Sequence, residues 1–391
     1  MTEVVCLPAP AILDRTRLVA RAKELVRGQT TQFADHVLRV PLSYYRDRNL
    51  HDREVEAIRH VPLALVHRSQ IPNPSDFVVR DVLGTSVLIS RGGDGTARAF
   101  LNVCRHRGAK VAEGCGSKRR HTCPYHAWTY DSAGALVGLP GAAGFDEIDR
   151  ASYGLVELPS EERHGFIWGV LTAGEAIDVA SHLGPLDAEL GEWCFETYQF
   201  LTNRGIETGT NWKAGLEAFA ENYHFPIVHR QSVIAQTTQP NTALFDRFGR
   251  HHRLTFPCSW IDSAPDGDYD EPLDFVVFIY WVYPNLVLAS TPVGLEIIDI
   301  LPGGAPTDST VLHGWAARQP APDDETLAGY TQLYEQVHAA VRDEDAAVLR
   351  SCGDAVRYGQ HGHMLIGRNE IGVQNVVRAF SEAFGLGICG P

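Results

Sequence analysis

The sequence predicts an α+β protein, a small all-β domain followed by a larger mixed domain, and three observations predict it. Between about residues 61 and 170, short β-branched and aromatic runs alternate with Gly- and Asp-containing turns. Beyond that region, strand-like apolar runs stand beside helical periodicities, and a three- and four-residue apolar spacing extends from about 323 to 357. A length of 391 residues has room for roughly two to three domains of ordinary size.

Residues 1–60 read as an N-terminal helical segment, from the periodic positions Leu18, Ala22, Leu25 and Val26, and belong with the larger domain. The all-β domain spans 61–170, with strands around Phe77-Val78-Val79, Ser86-Val87-Leu88-Ile89 and Phe166-Ile167-Trp168. The larger domain, 171–391, opens with a helical pattern from Asn211 to His229. Strands follow at 274–283, 286–290, 294–301 and 309–316, then a long helix for which Pro320, Pro322, Asp323 and Asp324 supply a start signal.

Composition excludes several classes of function. With 34 Lys and Arg against 48 Asp and Glu, the net charge of −14 argues against a broad phosphate-binding face, so nucleic acid is a poor partner. Residues Met1 to Pro10 lack the pattern of an export signal. The most apolar run, Phe275 to Tyr283, is about half the length of a membrane-spanning helix. Eight cysteines in such a chain read as thiols and metal ligands more than as a disulfide framework. The expectation is a soluble protein of the reducing cytoplasm.

The all-β region contains Cys104-Arg105-His106, then sixteen residues, then Cys123-Pro124-Tyr125-His126. Thiolate binds iron as an anion and imidazole binds it neutral, so two of each leave a [2Fe-2S] cluster less negative, and easier to reduce, than four cysteines would. We expect Cys104 and Cys123 on one iron and His106 and His126 on the other. A structural zinc site pairs cysteine with cysteine and histidine with histidine at close spacing, which Cys-x-His does not match. Gly108 and Pro124 are expected to shape the loops, Trp128 to cover the cluster or simply to pack, and Cys115 to be a bystander.

A second constellation lies downstream, in Glu217-Ala-Phe-Ala-Glu221-Asn-Tyr-His224-Phe-Pro-Ile-Val-His229. In a regular helix five residues turn a side chain by about 500°, so His224 and His229 would diverge. Pro226, between them, is expected to kink or widen the helix until they converge. Two histidines and a carboxylate on one side of a metal make the facial triad of non-heme Fe(II) oxygenases. The carboxylate is expected from the long helix, whose buried stripe runs through Leu327, Tyr330, Tyr334, Val337, Val341, Val348 and Cys352. Asp345 continues that series and is our first choice, Glu344 the second, while Asp343 faces away. Glu221, one turn before His224, can accept that ring's second N–H.

These segments resemble a known family. Asn-Val-Cys104-Arg-His106-Arg-Gly-Ala with Cys123-Pro-Tyr-His126-Ala-Trp-Thr-Tyr-Asp is similar to the cluster motif of Rieske-type ring-hydroxylating oxygenase large (alpha) subunits. Asn211-Trp212-Lys213, the Glu221 to His229 run and Glu344-Asp345 resemble that family's mononuclear iron motifs, in the family's order. Ala127 departs from it, standing where Gly is common. The resemblance implies a Rieske [2Fe-2S] domain joined to a helix-grip (START-like) catalytic domain with an antiparallel sheet and a long C-terminal helix. It implies a homotrimer, with or without a small second subunit, in which Glu221 bridges His224 and His126 of the next subunit. Glu221, His224, His229 and Asp345 are then the catalytic set. Electrons from NAD(P)H would arrive through a separate reductase, with or without a ferredoxin, for hydroxylation of an aromatic or similarly apolar ring compound by O2. Two alternatives stand beside this: oxidation of an amine, quaternary ammonium compound or methyl ether, and an electron-transfer protein with a degenerate iron site. Phe275, Phe278, Trp281 and Tyr283 are candidate pocket residues.

Overall fold

The structure is a computed structural model and describes residues 15–266, 271–320 and 323–388. Residues 1–14 and Pro322, used above for the N-terminus and the helix start, lie outside the described residues. The chain forms two compact units, Val55–His182 and a second made of the residues up to Glu54 with those from Leu183 onward.

Unit Val55–His182 is all-β. Its five-stranded antiparallel sheet runs in the order Glu157–Leu158, Ala97–Leu101, Thr85–Arg91, Asp76–Val82, Cys115–Ser117. A small sheet of Arg120–Thr122, Thr129–Asp131 and Leu136–Gly138 makes a hairpin of the second Cys-His loop. Phe77, Leu88, Phe100, Trp128 and Tyr130 pack with Cys104 and Cys123 into one buried cluster. Burial of these rings, each removing a large apolar area from water, is what anchors both loops.

The second unit is built on a seven-stranded antiparallel sheet. Its order is Gln199–Glu207, Ser309–Ala317, Gly294–Pro302, Leu286–Ser290, Val276–Val282, His251–Pro257, Leu244–Phe248. Runs such as Val-Val-Phe-Ile-Tyr-Trp-Val over Val276–Val282 are β-branched and aromatic throughout, which suits a strand covered on both faces. Asp323 caps the helix Asp324–Ala340 by accepting the Thr326 N–H at 2.8 Å.

Several expectations are corrected. The N-terminal segment is mainly helix, in Arg15–Arg27, Ser43–Arg46 and Arg48–Ile58, but it also carries a strand not expected there, Leu38–Pro41, which pairs with His363–Ile366. The helix expected over Asn211 to His229 is broken. Trp212–Ala218 ends, a loop follows, and a single turn Phe225–Val228 resumes. Pro226 therefore starts a turn, where its missing N–H is not needed, rather than kinking a continuous helix. The long helix is interrupted by a π-helical turn at Val341–Asp345, and it is not the last, since Ile371–Phe384 follows. Beyond that turn the buried positions are Leu349, Gly353 and Val356, whereas Val348 and Cys352 are exposed, as is Leu327 at the other end. The wider turn takes up an extra residue, so a stripe extrapolated at the ordinary spacing emerges on the wrong face. Cys104, Cys115, Cys123, Cys258 and Cys352 are free, and Cys194 is disulfide-bonded. Among the described residues, no helix is long and apolar enough to cross a membrane.

Candidate functional site

The two Cys-His loops are built alike. The Cys104 N–H donates to the Ala109 carbonyl at 2.8 Å, and its carbonyl accepts from the Gly108 N–H at 3.0 Å. Cys123 repeats this with the Trp128 carbonyl at 2.8 Å and the Ala127 N–H at 3.0 Å. The fifth residue of each loop is left-handed, Gly108 at φ +80° and Ala127 at φ +58°. Asn102, fully buried, braces the first loop by accepting from the Val111 and Ala112 N–H groups, each at 3.0 Å.

Both cysteines are buried, and the His106 and His126 rings lie 4.6 Å apart between centroids. Buried Trp128 stacks on His106 at 5.1 Å, so it packs and covers at once. Tyr130, which sequence reasoning missed, sets its hydroxyl 3.4 Å from Cys104 Sγ and accepts the Arg105 N–H at 3.0 Å. Its place two residues after Trp128 was the available signal. Cys115 lies in a strand paired with Val78. Buried sulfurs on one side and two imidazole edges on the other suit a two-iron cluster with unlike ligands. Ala127 carries a conformational cost that glycine there would avoid. Ala127→Gly is expected to raise stability by about 0.5–1 kcal/mol after the glycine's greater unfolded-state entropy is deducted. Urea unfolding of the loaded protein checks this, and a loss of stability would contradict it.

In the second unit, ligand atoms of His224, His229 and Asp345 all lie within 4.8 Å of one another. Asp345 Oδ1 is 3.5 Å from His224 Nε2 and 3.2 Å from His229 Nε2. The outer nitrogens are taken by other carboxylates: Glu221 holds His224 Nδ1, and Glu344 Oε2 holds His229 Nδ1 at 2.7 Å. Glu344 thus sits behind a histidine rather than beside Asp345's position between the rings, and Asp343 pairs on the exposed side with Arg342. His224 ends the loop after Trp212–Ala218 and His229 closes the Phe225–Val228 turn, which brings the two rings to 5.1 Å. Gly372 permits this packing, because a methyl group there would collide with the Ala220 carbonyl oxygen.

Burial is the largest influence on His224 and pushes it down, but hydrogen bonds to Asp345 and Glu221 together outweigh it and raise it to about 9. Burial likewise pushes Asp345 up, and the two histidines more than reverse it. This is a donor set of two imidazoles and surplus negative charge, which fits a divalent cation with oxygen and nitrogen preference.

Glu217, one turn earlier, is raised to about 8 by burial, against the opposing Tyr45 hydrogen bond. Folded protein holds its proton at pH values where the unfolded chain, near 4.5, has released it. Stability contributed by the protonated form is therefore lost as pH rises from about 4.5 to 8. Glu217→Gln is expected to melt increasingly above the parent over that window, by a few kcal/mol at about pH 8. A difference in melting temperature that does not change with pH would rule this out.

A cavity of about 270 Å³ opens on His224, His229 and Asp345, walled by Phe219, Phe225, Phe256, Ile279, Val287 and Trp315 among others. Phe275, Phe278, Trp281 and Tyr283 do not line it. Val277 and Ile279 do; of the expected aromatics Phe278 alternates onto the opposite face, while Trp281 lies further along the face of Val277 and Ile279, packed against His252 and Phe380.

Residues 61–153 match the Rieske [2Fe-2S] domain family, and residues 195–384 match the ring hydroxylating alpha subunit (catalytic domain) family. The carnitine monooxygenase oxygenase subunit of Acinetobacter pittii is 31% identical over 267 residues, which is 60% of this chain and 72% of that one. The chain is a Rieske non-heme iron oxygenase. The Escherichia coli K12 carnitine monooxygenase oxygenase subunit is 29% identical to the oxygenase over 65% of this chain and 68% of its own. The fold is that of naphthalene 1,2-dioxygenase from Rhodococcus sp. bound to indole, with TM-score 0.74, 20% identity, and 96% and 99% of the two chains covered. A quaternary ammonium Rieske monooxygenase in complex with L-carnitine also gives 0.74, at 22% identity over 88% and 95%. The oxygenase carries a Rieske [2Fe-2S] cluster and a mononuclear iron. The reading as a bare electron carrier is thereby set aside.

Proposed function

We propose that the oxygenase hydroxylates a small apolar ring compound that bears no anionic group. The observation that carries this is the cavity: its walls are chiefly aliphatic and aromatic, and among the described residues no Lys or Arg lines it. The carboxylate of a zwitterion such as carnitine would enter without a counter-charge there. A second reading, oxidation of an amine, quaternary ammonium compound or methyl ether, is favoured by the carnitine relatives and by aromatic walls that suit a cation.

In this reading Cys104, His106, Cys123 and His126 hold the cluster, and His224, His229 and Asp345 hold the iron. When bound, the cluster supplies electrons and the iron supplies the oxygen chemistry. Glu221 and Glu344 fix which nitrogen of each histidine faces the metal, and the apolar walls orient the ring and exclude water. The protein works in the cytoplasm in aromatic hydrocarbon breakdown, as a homotrimer served by a reductase, with or without a ferredoxin. Its all-β domain is 61–170, and residues 1–60 join 171–391 in the catalytic domain.

The reduced, loaded protein supplied with labelled O2 and a panel of ring hydrocarbons and methylated amines tests this by product mass. Label in ring products supports the first reading. Demethylated amines alone would favour the second.

A further inference from the structure

One polar feature of the cavity is not used by the iron site. Glu296, on Gly294–Pro302, lines the cavity among walls that, outside the iron site, are apolar apart from Thr237, Thr238 and Thr291. Behind it, on the neighbouring strand Ser309–Ala317, fully buried His313 sets Nε2 3.2 Å from Glu296 Oε2. His313 Nδ1 in turn lies 3.1 Å from Nδ1 of buried His338 on Asp324–Ala340.

This chain of groups has a direction. Burial and then His313 lower the His338 imidazole to about 4, so His338 is neutral and carries one ring proton. If its Nδ1–H donates to His313 Nδ1, the His313 proton sits on Nε2 and donates to Glu296. Tyr334 locks the arrangement, donating its hydroxyl to the His313 carbonyl at 3.1 Å and stacking on the His338 ring. His313, held by His338, thus occupies Glu296 Oε2 from behind. Oε1 makes no hydrogen bond among the described residues and belongs to the side chain that lines the cavity.

We propose that Glu296 is a specificity-determining residue, and that the substrate is an apolar ring compound carrying a hydrogen-bond donor, N–H or O–H, which Glu296 Oε1 accepts. This rests on the cavity's being the substrate site. A carboxylate among apolar walls is costly to leave unmatched, so a ring that brings a donor gains relative to one that does not. A site with a buried acceptor also discriminates more strongly than one relying on shape alone.

The loaded enzyme is titrated without O2 against two matched pairs: indole with naphthalene, and 2-aminoindane with indane. The first pair carries a neutral donor, the second a charged one. Native protein is expected to bind at least one donor compound about tenfold or more tightly than its partner. Glu296→Leu should bring that ratio within about threefold of unity. Glu296→Gln, which keeps an acceptor and the shape, should retain most of the indole preference but lose that for the amine. A native protein indifferent to both donors, or a ratio unchanged in Glu296→Leu, would overturn the proposal. Turnover with labelled O2 is read separately: no label in any product would sink the oxygenation reading while the binding ratios stand.

Discussion

Asp345→Ala is expected to lose the mononuclear iron and more than about 100-fold of product formation, a larger loss than removing an outer carboxylate causes. Its oxygen is the one that approaches both Nε2 atoms, at 3.5 and 3.2 Å, so its removal takes away both a ligand and the neutralising charge. The cluster's absorption should remain, because Cys104 and Cys123 belong to the other compact unit. Glu344→Gln is expected to keep iron but to lower affinity or activity roughly 10- to 100-fold, since Glu344 only orients His229. Iron content per subunit and labelled product together decide it. If Asp345→Ala kept its iron while Glu344→Ala lost it, the two roles would be exchanged.

That assignment shows what a sequence can and cannot carry. Ordinary helical spacing places Asp345 on the buried stripe, and it is buried although it is the last residue of the π-helical turn Val341–Asp345. Past it the pattern slips, and Val348 and Cys352 turn to solvent. An extra residue per turn leaves no mark on an apolar pattern already three- and four-spaced. The Cys-His loops were legible because the hydrogen bonds that close each turn are local. Each fits within six residues, and the spacing itself encodes the paired turns. The strands from Val276 to Ala317 were legible from β-branched runs and from the Pro284-Asn285 break. Which face of Val276–Val282 meets the cavity was not, because Val277 and Ile279 on one side are as apolar as Val276 and Phe278 on the other. Alternation identifies a face only when the two faces differ in polarity. Glu296 escaped for a related reason: nothing near it in sequence reports His313, which reaches it from a neighbouring strand, or His338, which backs His313 from a helix.

Mixing two inactive variants is expected to restore oxygenation. His126→Ala should disable the cluster and spare the iron, and His224→Ala should do the reverse, so each alone makes no product. Glu221 grips His224 Nδ1 with one oxygen, while its other takes the His224 N–H at 3.2 Å, which holds the carboxylate firmly in place at the His224 ring. If the route from cluster to iron runs from His126 of one subunit through Glu221 of the next, a mixed ring contains junctions where an intact cluster precedes an intact iron. In a trimer that holds both variants one junction in three is of this kind, giving on the order of a third of native activity. Glu221→Gln in the subunit with intact iron should cut the restored rate by roughly 10- to 100-fold while iron and cluster contents stay level. Coexpressed, separately tagged subunits purified through both tags make the measurement clean. Mixed assemblies that form but make no product would mean that electrons reach the iron within a single subunit.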